Sequence, residues 1–294
     1  MTKEKPIEQT IRETVAKSKK MAFVKIPDTN YHAMTDFISH SMLRGMKSTP
    51  SKFMWNMKNP RPASTAQELG TAIHMALLEP ERFSSHYAIQ PKVDRRTKEG
   101  KAAAEAWGQQ NAGKVALSDH DNDVVEKILA RVNLKPKLKQ FFEKGQAEAS
   151  FFVVDKESGL GLRCRTDYFI EELNVIVDLK TTDCAETRVF LKDITDYGYN
   201  TQAAFYMDVV EMATGKRPDA FVIIAAEKSK DCDVQKFTLT QKALEDGRII
   251  YRYWLNTLKQ CQAKQEWPGY KDEFIAYNTP QWLVEAIERG DFSI

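Results

Sequence analysis

The chain has 294 residues, 42% of them hydrophobic, enough to bury a large core as one big domain or two modest ones. Its 43 lysines and arginines against 41 acids leave a net charge of +2, so a polyanion would have to be met by a local patch and not by the global charge. Cys164, Cys184, Cys232 and Cys261 form no C-x-x-C pair, and no stretch reads as a signal peptide or membrane span; this argues against zinc, iron–sulfur and disulfide frameworks and fits a reducing, cytoplasmic compartment.

Residues 1–25 are polar and lysine-rich and predict a flexible or loosely helical basic arm ahead of a single domain over 26–294. From about Asp36 to Glu79 the pattern is helical: Thr49-Pro50 reads as an N-cap with proline at the first helical position, and Ser64 or Thr65 opens a helix that Pro80 closes. HYAIQP predicts a short strand. The basic loop after it, with Arg95, Arg96, Lys98 and Lys101, is either simply solvated or tracks a duplex backbone. Helices are predicted over about Lys101–Gln110 and Ser118–Val132, so that 26–146 reads as a mainly helical lobe.

The texture changes at Ala147, and 147–294 reads as a sheet core. AEASFFVVD, LRCRTDYFI and VIVDLK predict an antiparallel meander. A helix follows from about Ala185 to Asp193, and Asn200 reads as the cap of TQAAFYMDVVEMAT, with Gly215 just past its end. Strands AFVIIAAE and CDVQKFTLT, a long helix over Gln241–Ala263 and a short one after Thr279-Pro280 complete the chain. The expected class is α+β: a mixed sheet of about five strands flanked by helices, with a helical N-terminal lobe.

The chemistry gathers at VIVDLKTT, residues 175–182. Its β-branched start marks a buried strand, yet Asp178 and Lys180 interrupt it, and strand alternation puts both on one face. Asp167 stands in the preceding strand, on one face with Arg163 and Arg165. If the two strands pair, Asp167 and Asp178 meet at one edge of the sheet. Two such carboxylates repel, and a divalent cation relieves the repulsion; Mg²⁺, which takes oxygen ligands and keeps waters, fits best. Lys180 would then handle water or a phosphate. Read without the cation, D-x-K is a surface salt bridge at a strand end. Gln202 and Tyr206, in NTQAAFY, share one helix face.

Asp167, VDLKTT and the Q-x-x-x-Y pair, together with GTAIHMALLEPERF and AEASFFVVDKESGLGLRCRTDYF, resemble the PD-(D/E)xK nuclease superfamily in its RecB-like branch. More narrowly they are similar to RecE-type exonuclease VIII nuclease domains, from about Tyr31 to Tyr270. The resemblance implies a restriction-endonuclease-like fold and a Mg²⁺-dependent 5′-to-3′ exodeoxyribonuclease, with Mn²⁺ as a possible substitute. Such an enzyme degrades one strand of linear duplex DNA and leaves 3′ overhangs. It implies His74, Glu148, Asp167, Asp178 and Leu179 as the metal group and Asp167, Asp178, Lys180, Gln202 and Tyr206 as the catalytic group. Thr166 stands where the family has proline, which offers no ligand.

It further implies a ring-shaped homo-oligomer on double-stranded DNA ends, a tetramer in preference to a trimer, beside a RecT-type single-strand annealing protein in a bacterial or phage-infected cell. For DNA contacts, Ser39 or Ser41 would cap a helix whose amides hold a phosphate, with Arg44 nearby, or would be ordinary caps. Arg163 and Arg165 either neutralise Asp167 or Glu148 or face the DNA backbone. A RecB-like or restriction-type endonuclease and a non-catalytic DNA-end-binding protein are the alternatives.

Overall fold

A computed structural model describes residues 5–59, 65–229 and 231–292. The segment expected as a flexible arm is folded from residue 7 onward. Helix α1 (Ile7–Ser18) turns Ile11 and Val15, one helical turn apart, into an apolar cluster with Phe37 and Phe152. Strand β1 (Lys20–Val24) then pairs antiparallel with the strand carrying Phe152, in the register Met21↔Phe152. The lysines that made this segment look disordered lie outward, while Ile11, Val15 and Val24 are buried.

Short helices follow: α2 (Asp28–Ala33), α3 (His40–Leu43) and α4 (Pro50–Lys58), the last capped by Thr49, whose hydroxyl accepts from the Lys52 amide. Helix α5 (Thr65–Leu78) begins beside Ser64, the other candidate cap, which lies outside the described residues. After α6 (Pro80–His86), strands β2 (Tyr87–Gln90) and β3 (Val115–Ser118) form a small parallel sheet, joined through α7 (Lys98–Gln110). Arg96 of the basic loop is paired with Asp94. Helices α8 (Asp119–Asn133), capped by Ser118, and α9 (Pro136–Lys139) lead into the main sheet.

Strands β4 (Gln146–Val154), β5 (Gly161–Ile170) and β6 (Val175–Thr182) form the expected antiparallel meander. Helices α10 (Thr187–Asp196) and α11 (Tyr199–Thr214) cross to β7 (Ala220–Glu227), which runs parallel to β6, as a parallel pair requires a long connection. Strand β8 (Val234–Thr238), α12 (Gln241–Lys264) and α13 (Gln281–Glu288) follow. The cap of α11 is Gly198 at φ 70°, not Asn200, so the helix starts two residues earlier; Gly215 closes it at φ 84°. A residue at positive φ can reverse the chain between α10 and α11 without a further loop, and glycine does so at least cost.

The main sheet has six strands in the order β1-β4-β5-β6-β7-β8, one more than the sequence predicts, the extra one being β1. One face packs Phe190, Phe205, Val209 and Tyr251 of α10, α11 and α12 against Phe151, Ile176 and Ile223. On the other face, Ile73 and Ala76 of α5 and Val125 and Ile128 of α8 lie on Tyr168, Val177 and Ile224. Each Val, Ile and Phe among them contributes roughly 1.5–3 kcal/mol by leaving water. Helix α5 is thereby fixed against the middle of the sheet. Among the described residues no helix is long and apolar enough to cross a membrane.

Candidate active site in a strand fork

Strands β5 and β6 are paired only at Tyr168↔Val177, Phe169↔Ile176 and Ile170↔Val175. Beyond Val177, β6 follows β7 to Thr182, while the first half of β5 is met by Ile38, whose amide donates to the Gly161 carbonyl. The central strands therefore fork, and the fork leaves backbone groups of β6 without a strand partner. The Asp167 carboxylate fills that place: the Leu179 amide donates to its Oδ2 at 2.7 Å. The two aspartates were expected at one edge of the sheet; they lie at a split between its central strands.

Asp178 is 1% exposed. Gln202 Nε2 donates to its Oδ1 at 2.8 Å, and Lys180 Nζ lies 2.6 Å from its Oδ2. The shared face expected for Asp178 and Lys180 is thus real, and one face of α11 supplies the glutamine that holds the carboxylate. Lys180 also stands 5.0 Å from the ring centre of Tyr199, at the start of α11. His74 Nδ1, on α5, lies 3.6 Å from Asp167 Oδ2. His74, Glu148, Asp167, Lys180 and Tyr199 line one open cleft of about 690 Å³, with Gly70 of α5 and Asp28 and Arg82 at its rim. Gly70 is tight: a Cβ there would meet Thr181 Oγ1 at 3.2 Å.

Burial dominates the electrostatics. It pushes the Glu148 carboxyl up to about 8, helped by Asp167, against the pull of Arg165. It pushes Asp178 up to about 6 even with Lys180 alongside, and it raises Asp167, partly offset by Lys180 and the Leu179 amide. Burial and then Lys180 push His74 down to about 4, so its imidazole is neutral at pH 7. For Lys180, burial alone would lower the value, but Asp178 and Asp167 outweigh it and the ammonium is held charged. Two raised carboxylates in the cleft, a third buried behind it and a neutral histidine suit a cation.

The remaining candidates fall into two groups. Glu148 lies in the cleft with φ 56°, a left-handed conformation inside a strand, 3.6 Å from Arg165 Nη1. Tyr206 packs edge-on to Phe221 at 6.3 Å between ring centres, its hydroxyl pushed well up by burial. Arg163 and Arg165 do not face a DNA backbone. They are 2% and 9% exposed and stack 4.4 and 4.1 Å from the ring centre of Tyr31. Arg165 bonds Asp28, Ser150 and the Ile26 carbonyl, so it neutralises acids from within.

Ser39 is an ordinary cap of α3, accepting from the Met42 amide at 3.3 Å and lying 3.0 Å from Ser41 Oγ. That helix is four residues long, and Ser41 and Arg44 are exposed. Reading the sequence missed Tyr199, Tyr31 and Asp28. Only Tyr199 left a local signal, standing one helical turn before Gln202.

Among the described residues no three His, Cys, Asp or Glu side chains form a finished metal cage. The donor chemistry nonetheless fits a hard divalent ion: carboxylates at Glu148, Asp167 and Asp178 that are costly to charge, a neutral His74, and the Leu179 backbone within hydrogen-bonding range of both His74 and Asp167. Mg²⁺ needs only one or two carboxylates and keeps waters, so an incomplete cage is compatible with it. Leu179 could serve only through its carbonyl, since its side chain is buried apolar surface.

The fold has solved counterparts. An exonuclease, so named provisionally, from Eubacterium rectale superposes with a TM-score of 0.58 at 14% identity, covering 90% of this chain and 99% of its own, which establishes a shared fold. An alkaline exonuclease from Laribacter hongkongensis, 12% identical over 80% of this chain and 98% of its own, superposes with a TM-score of only 0.24 and carries no argument. No curated protein matches the sequence. The model of the PDDEXK-like domain of unknown function (DUF3799) matches residues 39–277, which take in the whole fork from His74 to Tyr206, and the chain belongs to that family.

Proposed function

We propose that this nuclease domain is a Mg²⁺-dependent exonuclease that removes one strand of linear duplex DNA from its 5′ end and leaves a 3′ overhang for single-strand annealing. The observation that carries the reading is the fork itself, with Asp178 clamped between Lys180 and Gln202 while Asp167 and His74 face the same cleft. Similarity to a protein named as an exonuclease supports it, as does the 5′-to-3′ activity implied by the RecE-type resemblance.

Asp167, Asp178, Glu148, His74 and the Leu179 carbonyl would hold the cation, which supplies charge neutralisation at the scissile phosphate and a nucleophile at neutral pH. Lys180 keeps its proton, so its role is to place positive charge on the phosphate or to orient the attacking water. Gln202 fixes the rotamer of Asp178, and Tyr206 packs the base of the same helix face. Mn²⁺, with similar oxygen coordination, would substitute.

Partners follow from the same reading: double-stranded DNA ends, a RecT-type annealing protein, and a ring of identical subunits, tetrameric in preference to trimeric. Residues 270–292 expose Tyr270, Phe274, Ile275, Tyr277 and Trp282, apolar surface of the kind that contacts between subunits cover. The setting would be the cytoplasm of a bacterial or phage-infected cell. Incubation of linear and closed circular duplex with Mg²⁺ tests the exonuclease reading: digestion of the linear form alone is expected, and cutting of closed circles would favour a RecB-like or restriction-type endonuclease instead.

A further inference from the structure

The turn Tyr197-Gly198-Tyr199 has no part in the catalytic set, yet its last residue lines the cleft. Tyr197 and Gly198, the latter at φ 70°, are the two residues between α10 and α11, and this sharp reversal sets the rings of Tyr197 and Tyr199 5.7 Å apart with 30° between their planes. The stack continues inward. Tyr199 lies 6.0 Å from Phe190, and Phe190 stacks on Phe237 at 4.6 Å. Phe190 is 0% exposed and Tyr197 is 50% exposed, so a ladder of four rings runs from the core to solvent. Its third ring, Tyr199, is the one beside Lys180.

From this arrangement we infer that Tyr197 and Tyr199 form a stacking shelf for an unpaired nucleobase of the strand being cleaved. The inference rests on the nuclease reading and goes beyond it by naming how single-stranded substrate is held. A ring anchored through three others loses little freedom on binding, and the next ring inward, Tyr199, is the one 5.0 Å from the ammonium that would serve the phosphate. Aromatic stacking suits an enzyme that must pass over any sequence, because every base presents a π-face. Lys47, whose Nζ donates to the Asp196 carbonyl at 3.2 Å, adds positive charge at the same turn, where a phosphate of the bound strand would pass.

The test uses the full chain and a single-stranded oligonucleotide carrying 2-aminopurine near its 5′ end. Calcium replaces Mg²⁺, since its looser geometry holds DNA without in-line attack. Binding to the parent protein and to Tyr197→Phe should quench the fluorophore equally. Tyr197→Ala should weaken binding about ten-fold and lose the quenching, the size expected for one aromatic–base contact. Tyr197 is half exposed, so its melting temperature should match the parent's. If Tyr197→Ala binds and quenches like a parent that digests linear duplex, the shelf is wrong and the nuclease reading stands. Equal loss in Tyr197→Phe would assign the contact to the hydroxyl and overturn the shelf as well. A parent that digests no DNA removes both.

Discussion

Glu148 and Asp167 face each other across β4 and β5, between the register pairs Ala147↔Tyr168 and Ala149↔Thr166. Glu148 holds that place in a left-handed conformation, which costs a non-glycine residue of order 1–3 kcal/mol. A strained acid opposite a second acid is tolerable in the free protein because Glu148 keeps its proton, its value being about 8. A bound cation would remove the need for that proton.

The pH dependence of stability follows. Glu148 has its folded value raised from 4.5 to about 8 and Asp178 from 3.8 to about 6, so between those limits the folded state binds more protons than the unfolded one. Their contribution is fully present below about pH 4 and is lost as pH rises through 6 and then 8. Below about pH 6.5 His74, neutral in the fold, acts in the opposite direction, so melting temperature in EDTA should decline from pH 7 to pH 9, and Glu148→Gln should flatten that decline. Mg²⁺ binding at pH 7 should release protons, read as a dependence of calorimetric heat on buffer ionisation enthalpy. A metal-free profile rising through this range would contradict the assignment.

Asp178→Ala and Asp178→Asn should both abolish cleavage but differ in stability. On the sequence alone, removing one of two repelling acids should cost little or even stabilise. The structure instead pairs Asp178 with Lys180 at 2.6 Å, and alanine would leave a largely buried ammonium without its ion-pair partner, facing the Tyr199 ring and the field of Asp167 alone. Breaking a buried pair from one side costs about 3–5 kcal/mol. Asparagine keeps an oxygen for Gln202 and should cost clearly less. Urea melts of the two variants decide this, and equal stability would show the pair to be energetically idle.

Lys180→Gln should retain Mg²⁺ binding, since an ammonium is no ligand, while the chemical step slows by roughly 10²-fold or more. Single-turnover digestion separates the two effects. Loss of Mg²⁺ binding in this variant would make Lys180 a prop for Asp178 and not a participant.

A ring would let a chain of net charge +2 stay on DNA, because threaded duplex can leave only at an end. Light scattering should give the mass of a cyclic oligomer, and digestion begun before a heparin trap is added should continue over long stretches. A monomeric mass, or arrest within a few nucleotides of the trap, would exclude the ring.

Part of this candidate site was legible from periodicity, while His74, Glu148 and Leu179 were reached only through the family resemblance. Asp178 and Lys180 had to share a face because strand side chains alternate, and Gln202 and Tyr206 had to share one because helix positions four apart are neighbours. Long-range consequences were not legible. Nothing local in Arg163 or Arg165 says that Tyr31, more than 130 residues earlier, will cover them. Strand β1 was hidden by Lys20 and the lysines around it, whose polarity outweighed Met21 and Val24 in the composition of a short segment. The fork escaped because strand signals give existence and not the point where pairing stops, and Asp167 takes its position from that point.

The most direct test follows each strand of a linear duplex separately. One end carries a 5′ phosphate, the two strands carry different labels, and the parent and Asp178→Asn are compared with Mg²⁺ and with EDTA. The fork acting as proposed should release nucleotides progressively from the 5′-terminated strand, leave its complement intact as a 3′ overhang, and do neither in EDTA or in the variant. Release from the 3′ end, or equal digestion by Asp178→Asn, would contradict it.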